Sequence, residues 1–260
     1  MDEKTLPLRT MKRLAIILIA VITLTLSVNA QNISDTSIFT PHISLSYAAQ
    51  LPFGDLQDRF GINSNIGFNA DFKLASNWVV GGGAQFFFGN QVKDLTMLDD
   101  MYTTDGQIIN QNGAFANVVA FERGWIFTGN IGRLFPVIGP NPNSGIMVKL
   151  GLGFMQHKVR IDSEQDLVPQ FVGEYRKLYD RYTNGFSATQ FIGYVHMSNN
   201  RISNFFGGFE ISEGFTKGQR SAQAGAPIEL NDSRIDILAG LRFGWIVPIH
   251  RRKPNEFFVD

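Results

Sequence analysis

The chain has 260 residues, with 23 basic and 23 acidic side chains, no cysteine, 26 glycines and 23 phenylalanines. The absence of cysteine excludes disulfides, thiolate metal sites, a cysteine nucleophile and lipidation at a cysteine. A net charge of zero argues against a nucleic-acid partner.

The amino terminus has the features of a secretory signal peptide. The basic pair Lys12-Arg13 precedes an apolar run over 14–28, and Val28-Asn29-Ala30 matches a small-residue cleavage site. The run is shorter than the ~20 apolar residues that a spanning helix needs. We therefore predict a signal peptide over residues 1–30, translation from Met11, and a mature chain that begins at Gln31. The alternative is an uncleaved anchor.

Eight segments of the mature chain alternate between apolar and polar residues. In the second segment Ile66 and Phe68 alternate with Gly67 and Asn69. A period of two residues indicates a strand with two chemically different faces. The segments cover residues 42–51, 65–74, 78–88, 119–132, 146–157, 186–197, 204–211 and 235–245.

The connections between these segments alternate in length. Residues 52–63, 90–117, 158–184 and 214–232 are long, whereas 75–77, 133–144 and 198–201 are shorter. Long extracellular loops and short periplasmic turns are typical of outer-membrane barrels. We predict an all-β fold, an eight-stranded antiparallel transmembrane β-barrel over residues 31–250, followed by a basic periplasmic tail over 251–260. A soluble β-sandwich is the alternative.

An eight-stranded barrel is just wide enough for its inward side chains to fill it. The alternation predicts an inward polar network, and buried charges need partners, so we expect an ion-paired plug rather than an open pore. A narrow gated pore remains the alternative. The network comprises Asp71, Lys73, Lys149, Glu210, Asp236 and Arg242, joined by His42, His157, Gln190 and His196.

The sixth segment, 186–197, is ambiguous. We assign Phe191, Val195 and Met197 to the lipid face, and this places Gln190 and His196 in the lumen. The four histidines of the chain lack the spacing of metal ligands, so we expect neither a metal nor a cofactor.

The run His196-Met197-Ser198-Asn199 resembles the His-x-Ser-Asn motif of outer-membrane lipid A deacylases, which are eight-stranded barrels with a serine esterase site. That resemblance implies Ser198 as nucleophile, His196 as its base and Glu210 as the orienting acid. The predicted topology places Ser198 in a periplasmic turn, away from the outer leaflet. An ordinary polar turn is therefore our preferred interpretation, and we expect no enzymatic activity.

A wider resemblance covers the mature chain. It rests on the runs 58–67, 132–137, 139–143, 179–186 and 244–248, which include Gly139-Pro140-Asn141-Pro142-Asn143. These runs are similar to the small outer-membrane β-barrel proteins of Bacteroidota-type bacteria. The resemblance implies residence in the outer membrane of such a Gram-negative bacterium. It also implies a structural or accessory role in a protein-insertion or secretion complex, with the bilayer and other outer-membrane proteins as partners.

Overall fold

The structure is a computed structural model that describes residues 36–163, 168–198, 203–225 and 233–249. The predicted signal peptide (1–30) and basic tail (251–260) lie outside the described residues. No helix within the described ranges has the length and hydropathy needed to cross a bilayer.

The described residues form ten strands and four short helical turns. Eight strands build the barrel: β1 Thr40–Gly54, β2 Asn63–Lys73, β3 Trp78–Gly89, β6 Val118–Phe135, β7 Gly145–Ser163, β8 Thr183–His196, β9 Phe205–Gly218 and β10 Ser233–Pro248. A small hairpin joins β4 Ile108–Ile109 to β5 Phe115–Ala116. The helical turns are α1 Leu56–Arg59 and the 3-10 turns Thr96–Met101, Pro169–Phe171 and Gly173–Leu178.

The eight long strands close into one barrel in the order β1-β10-β9-β8-β7-β6-β3-β2. Every neighbouring pair is antiparallel, and β1 closes the ring by pairing with both β2 and β10. The predicted eight-stranded outer-membrane barrel is confirmed. Three of its extracellular connections are long, 90–117, 164–182 and 219–232, whereas the first, 55–62, is about as short as the periplasmic turns 136–144 and 197–204.

Several strands extend beyond their predicted ends. β7 has 19 residues and continues to Ser163, where a loop was expected from residue 158, and β9 continues to Gly218 instead of ending at Ile211. The outward residues of the β7 extension are Lys158, Arg160 and Asp162, which break the apolar alternation. The backbone pairing with β6 nevertheless persists to the Val118–Ser163 pair, because strand pairing needs no apolar side chain.

Two aromatic girdles bound the lipid-facing surface. The upper one includes Phe127, Phe154, Phe186 and Phe215, which pair across four neighbouring strands. Because the strands tilt by about 40°, this row spans about 9 Å of height between Phe127 and Phe215. The lower one includes Trp78, Phe135, Tyr194, Phe205 and Trp245. On β9 the two girdles are ten residues apart, about 33 Å along a strand, and a tilt of about 40° reduces this to about 25 Å of height. That height matches the apolar band of an outer-membrane barrel.

The faces of β8 are the reverse of those predicted. Phe191, Val195 and Met197 are buried inside the barrel, whereas Gln190 and His196 are on the outward face. Outward Phe186 and Ile192 share the parity of Gln190. The inward apolar side chains of β8 pack with Phe206 and others at the periplasmic end, so apolar character alone does not mark the lipid face here.

The interior has three layers. Apolar side chains from the strands and the extracellular loops fill the upper layer, among them Leu56, Phe60, Met97, Leu98, Ile108 and Phe171. A polar layer occupies the middle. A second apolar cluster closes the periplasmic end and consists of Val79, Leu134, Met147, Phe191, Val195, Met197, Phe206 and Ile246.

Candidate functional site

Arg242 is the hub of the polar layer. Its guanidinium donates to Glu210 Oε1 at 2.7 Å, to Ser46 Oγ at 2.8 Å and to Gln85 Oε1 at 2.9 Å, and it also reaches Asn65. Both members of the Arg242–Glu210 pair are buried. A buried charge is tolerated when it is paired and hydrogen-bonded, and this pair meets both conditions.

A second ion pair lies lower in the lumen. Lys149 Nζ is 3.0 Å from Asp71 Oδ2, and His42 Nε2 is 3.9 Å from the same oxygen. A cavity of about 30 Å³ lies between this pair and the Arg242 hub, with room for one or two waters. The described side chains therefore fill the middle of the lumen.

The third acidic centre is Asp236, near the upper layer. Its carboxylate lies 2.8 Å from His157 Nε2 and accepts a hydrogen bond from Thr216. Arg234 Nε lies 3.5 Å from its other oxygen. The structure thus places Asp71, Lys149, Glu210, Asp236 and Arg242 in three separate ion-paired centres.

Lys73, the remaining member of the predicted network, contacts the periplasmic end instead. Its ammonium donates to Ser37 Oγ at 2.9 Å, to the Ile38 carbonyl at 3.2 Å and to Asn143 Oδ1 at 2.9 Å. Asn143 also accepts from the Ile38 amide at 3.0 Å. Lys73 therefore fastens the segment before β1 to the turn between β6 and β7.

The esterase-like residues do not assemble. His196 stacks on Phe205 at 4.9 Å on the outward face, whereas Glu210 lies inside and pairs with Arg242. In the β8–β9 register Glu210 is five positions from the partner of His196, roughly 16 Å along the strand. The amide of Ser198 donates to Asn204 Oδ1 at 2.7 Å in the periplasmic turn. Assigning Glu210 as the acid that orients His196 is therefore wrong.

The extracellular loops are tied to one another. Arg181 donates to Gln223 at 2.7 Å and to Thr96 at 3.0 Å, so one guanidinium joins three loops. Arg220 pairs with Asp180, and the hydrogen bonds that its guanidinium donates to this carboxylate raise the pKa of Arg220 above its ordinary value. These contacts and the apolar layer beneath them form a packed cap over the barrel mouth.

Two polar side chains on β8 and β9 interrupt the apolar surface that faces the lipid. Glu213 and Gln190 point outward, and Gln190 is diagonal to Glu213 because it pairs with Ile211. Glu213 lies between Ile211 and Phe215 on the outward face of β9. Neither polar side chain forms a hydrogen bond or an ion pair within the described residues. We call Ala188, Gln190, Ile211, Glu213 and Ala239 the polar break.

Two of the predictions from sequence hid the polar break. The predicted seventh strand ended at Ile211, which left Glu213 outside the strand, and Gln190 was assigned to the lumen. The signal was nevertheless present, because the alternation of Phe209 and Ile211 continues through Glu213 to Phe215.

Apolar side chains are also exposed outside the bilayer band. The β4–β5 hairpin presents Ile109 and Phe115, and the turn after β6 presents Val137 and Ile138, with Val137 71% exposed. Large contiguous apolar patches are typical of interaction surfaces, whereas single exposed apolar side chains are common on any protein surface. No group of three or more histidine, aspartate or glutamate side chains in the described ranges could hold a metal ion.

No family model and no curated protein matches the chain. Among solved structures it is similar to Ail, the attachment invasion locus protein of Yersinia pestis, in complex with the heparin analogue sucrose octasulfate. The identity is 11%, the alignment covers 80% of this chain and 99% of Ail, and the TM-score is 0.41. It is also similar to the N-terminal β-barrel domain of Pseudomonas aeruginosa OprF, with 10% identity, coverage of 78% and 96%, and a TM-score of 0.33.

At these identities the likenesses concern the fold alone. The closed ring of eight strands, the lipid-facing apolar band and the two aromatic girdles carry the conclusion: the chain is an integral outer-membrane β-barrel protein.

Proposed function

We propose that the protein is a non-enzymatic structural or accessory subunit of an outer-membrane protein complex, of the kind that inserts or secretes proteins in a Bacteroidota-type bacterium. The observation that carries the proposal is the polar break. Glu213 and Gln190 lie between the two girdles without a hydrogen-bond partner in the described chain. A second transmembrane protein would supply that partner.

The depth of Glu213 supports this interpretation. It is two residues from Phe215 of the upper girdle, which is about 7 Å along the strand and about 5 Å below the girdle. Lipid chains offer no hydrogen-bond donor, so an unpaired polar group at this depth is unfavourable. A donor on a neighbouring protein removes that cost.

The shape of the polar break also suits a protein contact. Ala188 pairs with Glu213, and Ala239 pairs with Ile211, so small side chains flank the two polar ones. Small residues permit close approach of two backbones in a membrane, and polar side chains then hydrogen-bond across the contact. The surrounding outward residues, such as Phe186 and Phe209, are large.

The remaining features agree with a scaffold. The lumen is filled by ion pairs between two apolar layers, and the extracellular loops are packed over its mouth. The separation of His196 from Glu210 favours a role without ester hydrolysis. The exposed pair Val137 and Ile138 offers a periplasmic contact to the same complex.

Site-specific photo-crosslinking in native cells tests the proposal. A photoreactive residue at Ile211 should give one adduct of defined mass, because Ile211 lies in the polar break. Val80 on β3, on the opposite wall of the barrel, is the matched position and should give none. Equal crosslinking at both positions, or no protein adduct at Ile211, would contradict the proposal.

A further inference from the structure

Three cations lie together on the outward face of β6 and β7, above the upper girdle. Arg123 is opposite Lys158 in the register, and Arg160 is two residues further along β7. We call these three residues the basic outer patch. Arg123 and Lys158 are each four residues beyond a girdle residue, Phe127 and Phe154, which is about 13 Å along the strand. This position corresponds to the headgroup layer of the outer leaflet.

The charges of the basic outer patch are only partly compensated. Asp162 Oδ1 accepts from Arg160 Nε at 3.0 Å. Lys158 has no hydrogen bond or ion pair within the described residues, and Arg123 donates only to the Gly89 and Glu122 carbonyls. Like charges directly opposite each other destabilise a strand pair. A net charge of +2 therefore remains on this part of the outer wall, and an anion would offset the repulsion.

The patch borders a cleft that is lined in part by hydrogen-bonded polar side chains. The cleft has a volume of about 250 Å³ and is lined by Arg123, Lys158, Trp125, Gln156 and Tyr182, among others. Tyr182 donates to Gln156 Oε1 at 2.7 Å, so its ring is fixed beside the two cations. Trp125 stacks on Phe127 at 5.8 Å and continues the surface down to the acyl-chain region. The cleft thus joins a cationic upper edge to an aromatic lower edge.

We propose that the basic outer patch binds the phosphate groups of a phosphorylated glycolipid in the outer leaflet. Guanidinium and ammonium groups form charge-assisted hydrogen bonds to phosphate oxygens. The patch faces the membrane rather than the extracellular solution, and the girdle beneath it would contact the acyl chains of the same molecule. These two features favour a lipid over a free phosphate.

Native mass spectrometry of the purified full-length barrel tests the proposal. The probes are diphosphorylated lipid A, its dephosphorylated form and inorganic phosphate. We expect the wild type to retain diphosphorylated lipid A, and the Lys158→Gln/Arg160→Gln variant to lose affinity by about tenfold or more, because it loses two charged hydrogen-bond donors to phosphate. The dephosphorylated lipid should bind as weakly to the wild type as the intact lipid does to the variant.

Arg133→Gln is the matched control. Arg123 lies over the Phe121 ring at 4.8 Å. Arg133 lies on the same strand and face and over two aromatic rings, at 5.5 Å, but it is at the periplasmic girdle. Its replacement should leave lipid retention unchanged. Equal retention by the wild type and the double variant would overturn the proposal, as would equal loss in Arg133→Gln. Displacement of the bound lipid by millimolar inorganic phosphate would contradict the proposal that the patch binds a lipid phosphate rather than free phosphate.

Discussion

Arg242 on β10 donates a 2.7 Å hydrogen bond to Glu210 on β9 inside the barrel, and both side chains are almost completely buried. The pair lies midway between two apolar layers. It joins two adjacent strands and, through Ser46, Asn65 and Gln85, links β10 to three further strands. Ionic contacts of this kind replace the continuous apolar core of a soluble protein.

Removing one member of this pair should destabilise the barrel. We expect Arg242→Met to lower the free energy of unfolding by about 3–5 kcal/mol, because Glu210 would be buried without its partner. Arg242→Met/Glu210→Leu should recover most of that loss, since Asn65 and Gln85 still hydrogen-bond to each other at 3.0 Å. Urea titration in phospholipid vesicles measures both. A double variant as unstable as the single one would contradict the account.

A charge on the lipid face tests the membrane assignment. Leu241 points outward midway between Ile235 and Trp245 on β10. Leu241→Lys should cost about 2–4 kcal/mol in vesicles, because lysine near the bilayer midplane is poorly solvated. Tyr175→Lys in an exposed extracellular loop is the control and should change stability by less than about 0.5 kcal/mol. A similar loss of unfolding free energy at the two positions would mean that Leu241 contacts water rather than lipid.

Lys73→Met should release the segment that precedes β1. The ammonium makes three hydrogen bonds, two of them to Ser37 and Ile38, so hydrogen exchange over residues 36–39 should rise while the barrel strands stay protected. Lys93→Met removes a contact to the Gln57 carbonyl at the exposed extracellular side and serves as the control. Unchanged exchange over 36–39 would show that Asn143 alone holds the segment.

Arg181→Met should loosen the extracellular cap. Its guanidinium joins Thr96 and Gln223 from two different loops, and its removal leaves both without this buried donor. We expect faster protease cleavage within the 90–117 loop at unchanged barrel stability. Lys177→Met, which alters an exposed pair with Glu174, should leave cleavage unchanged. Equal cleavage rates in the two variants would mean that the apolar layer alone holds the loops.

The alternation of residues was sufficient to predict the barrel and its strand order in sequence. Ile66 and Phe68 alternate with Asn65 and Asn69, so the segment has one apolar face and one polar face. In a closed barrel in lipid the apolar face points outward and the polar face points inward. The ends of the strands were harder to predict from the sequence. At Lys158 and Arg160 the outward face is polar although the backbone remains paired, so no apolar pattern marks the last residues of β7.

The faces of β8, and with them the outward position of Gln190 in the polar break, could be assigned only from the structure. Phe191 and Val195 face inward because the periplasmic end of the lumen is apolar, and hydrophobicity could not separate that layer from the lipid face. The alternation of residues along β2 assigned Lys73 to the lumen network, but the long side chain of Lys73 reaches Asn143 at the periplasmic end of the barrel. Such contacts depend on the register between strands that are distant in sequence.

The most direct test of the subunit role is purification of the tagged protein from native outer membranes in mild detergent. The size of the assembly and its co-purifying proteins would be compared with those of Glu213→Leu/Gln190→Leu and of Ala70→Leu/Val80→Leu on the opposite wall. We expect a stoichiometric partner that is lost only in the Glu213→Leu/Gln190→Leu variant. A lone barrel in the wild type, or a partner retained by that variant, would contradict the subunit role.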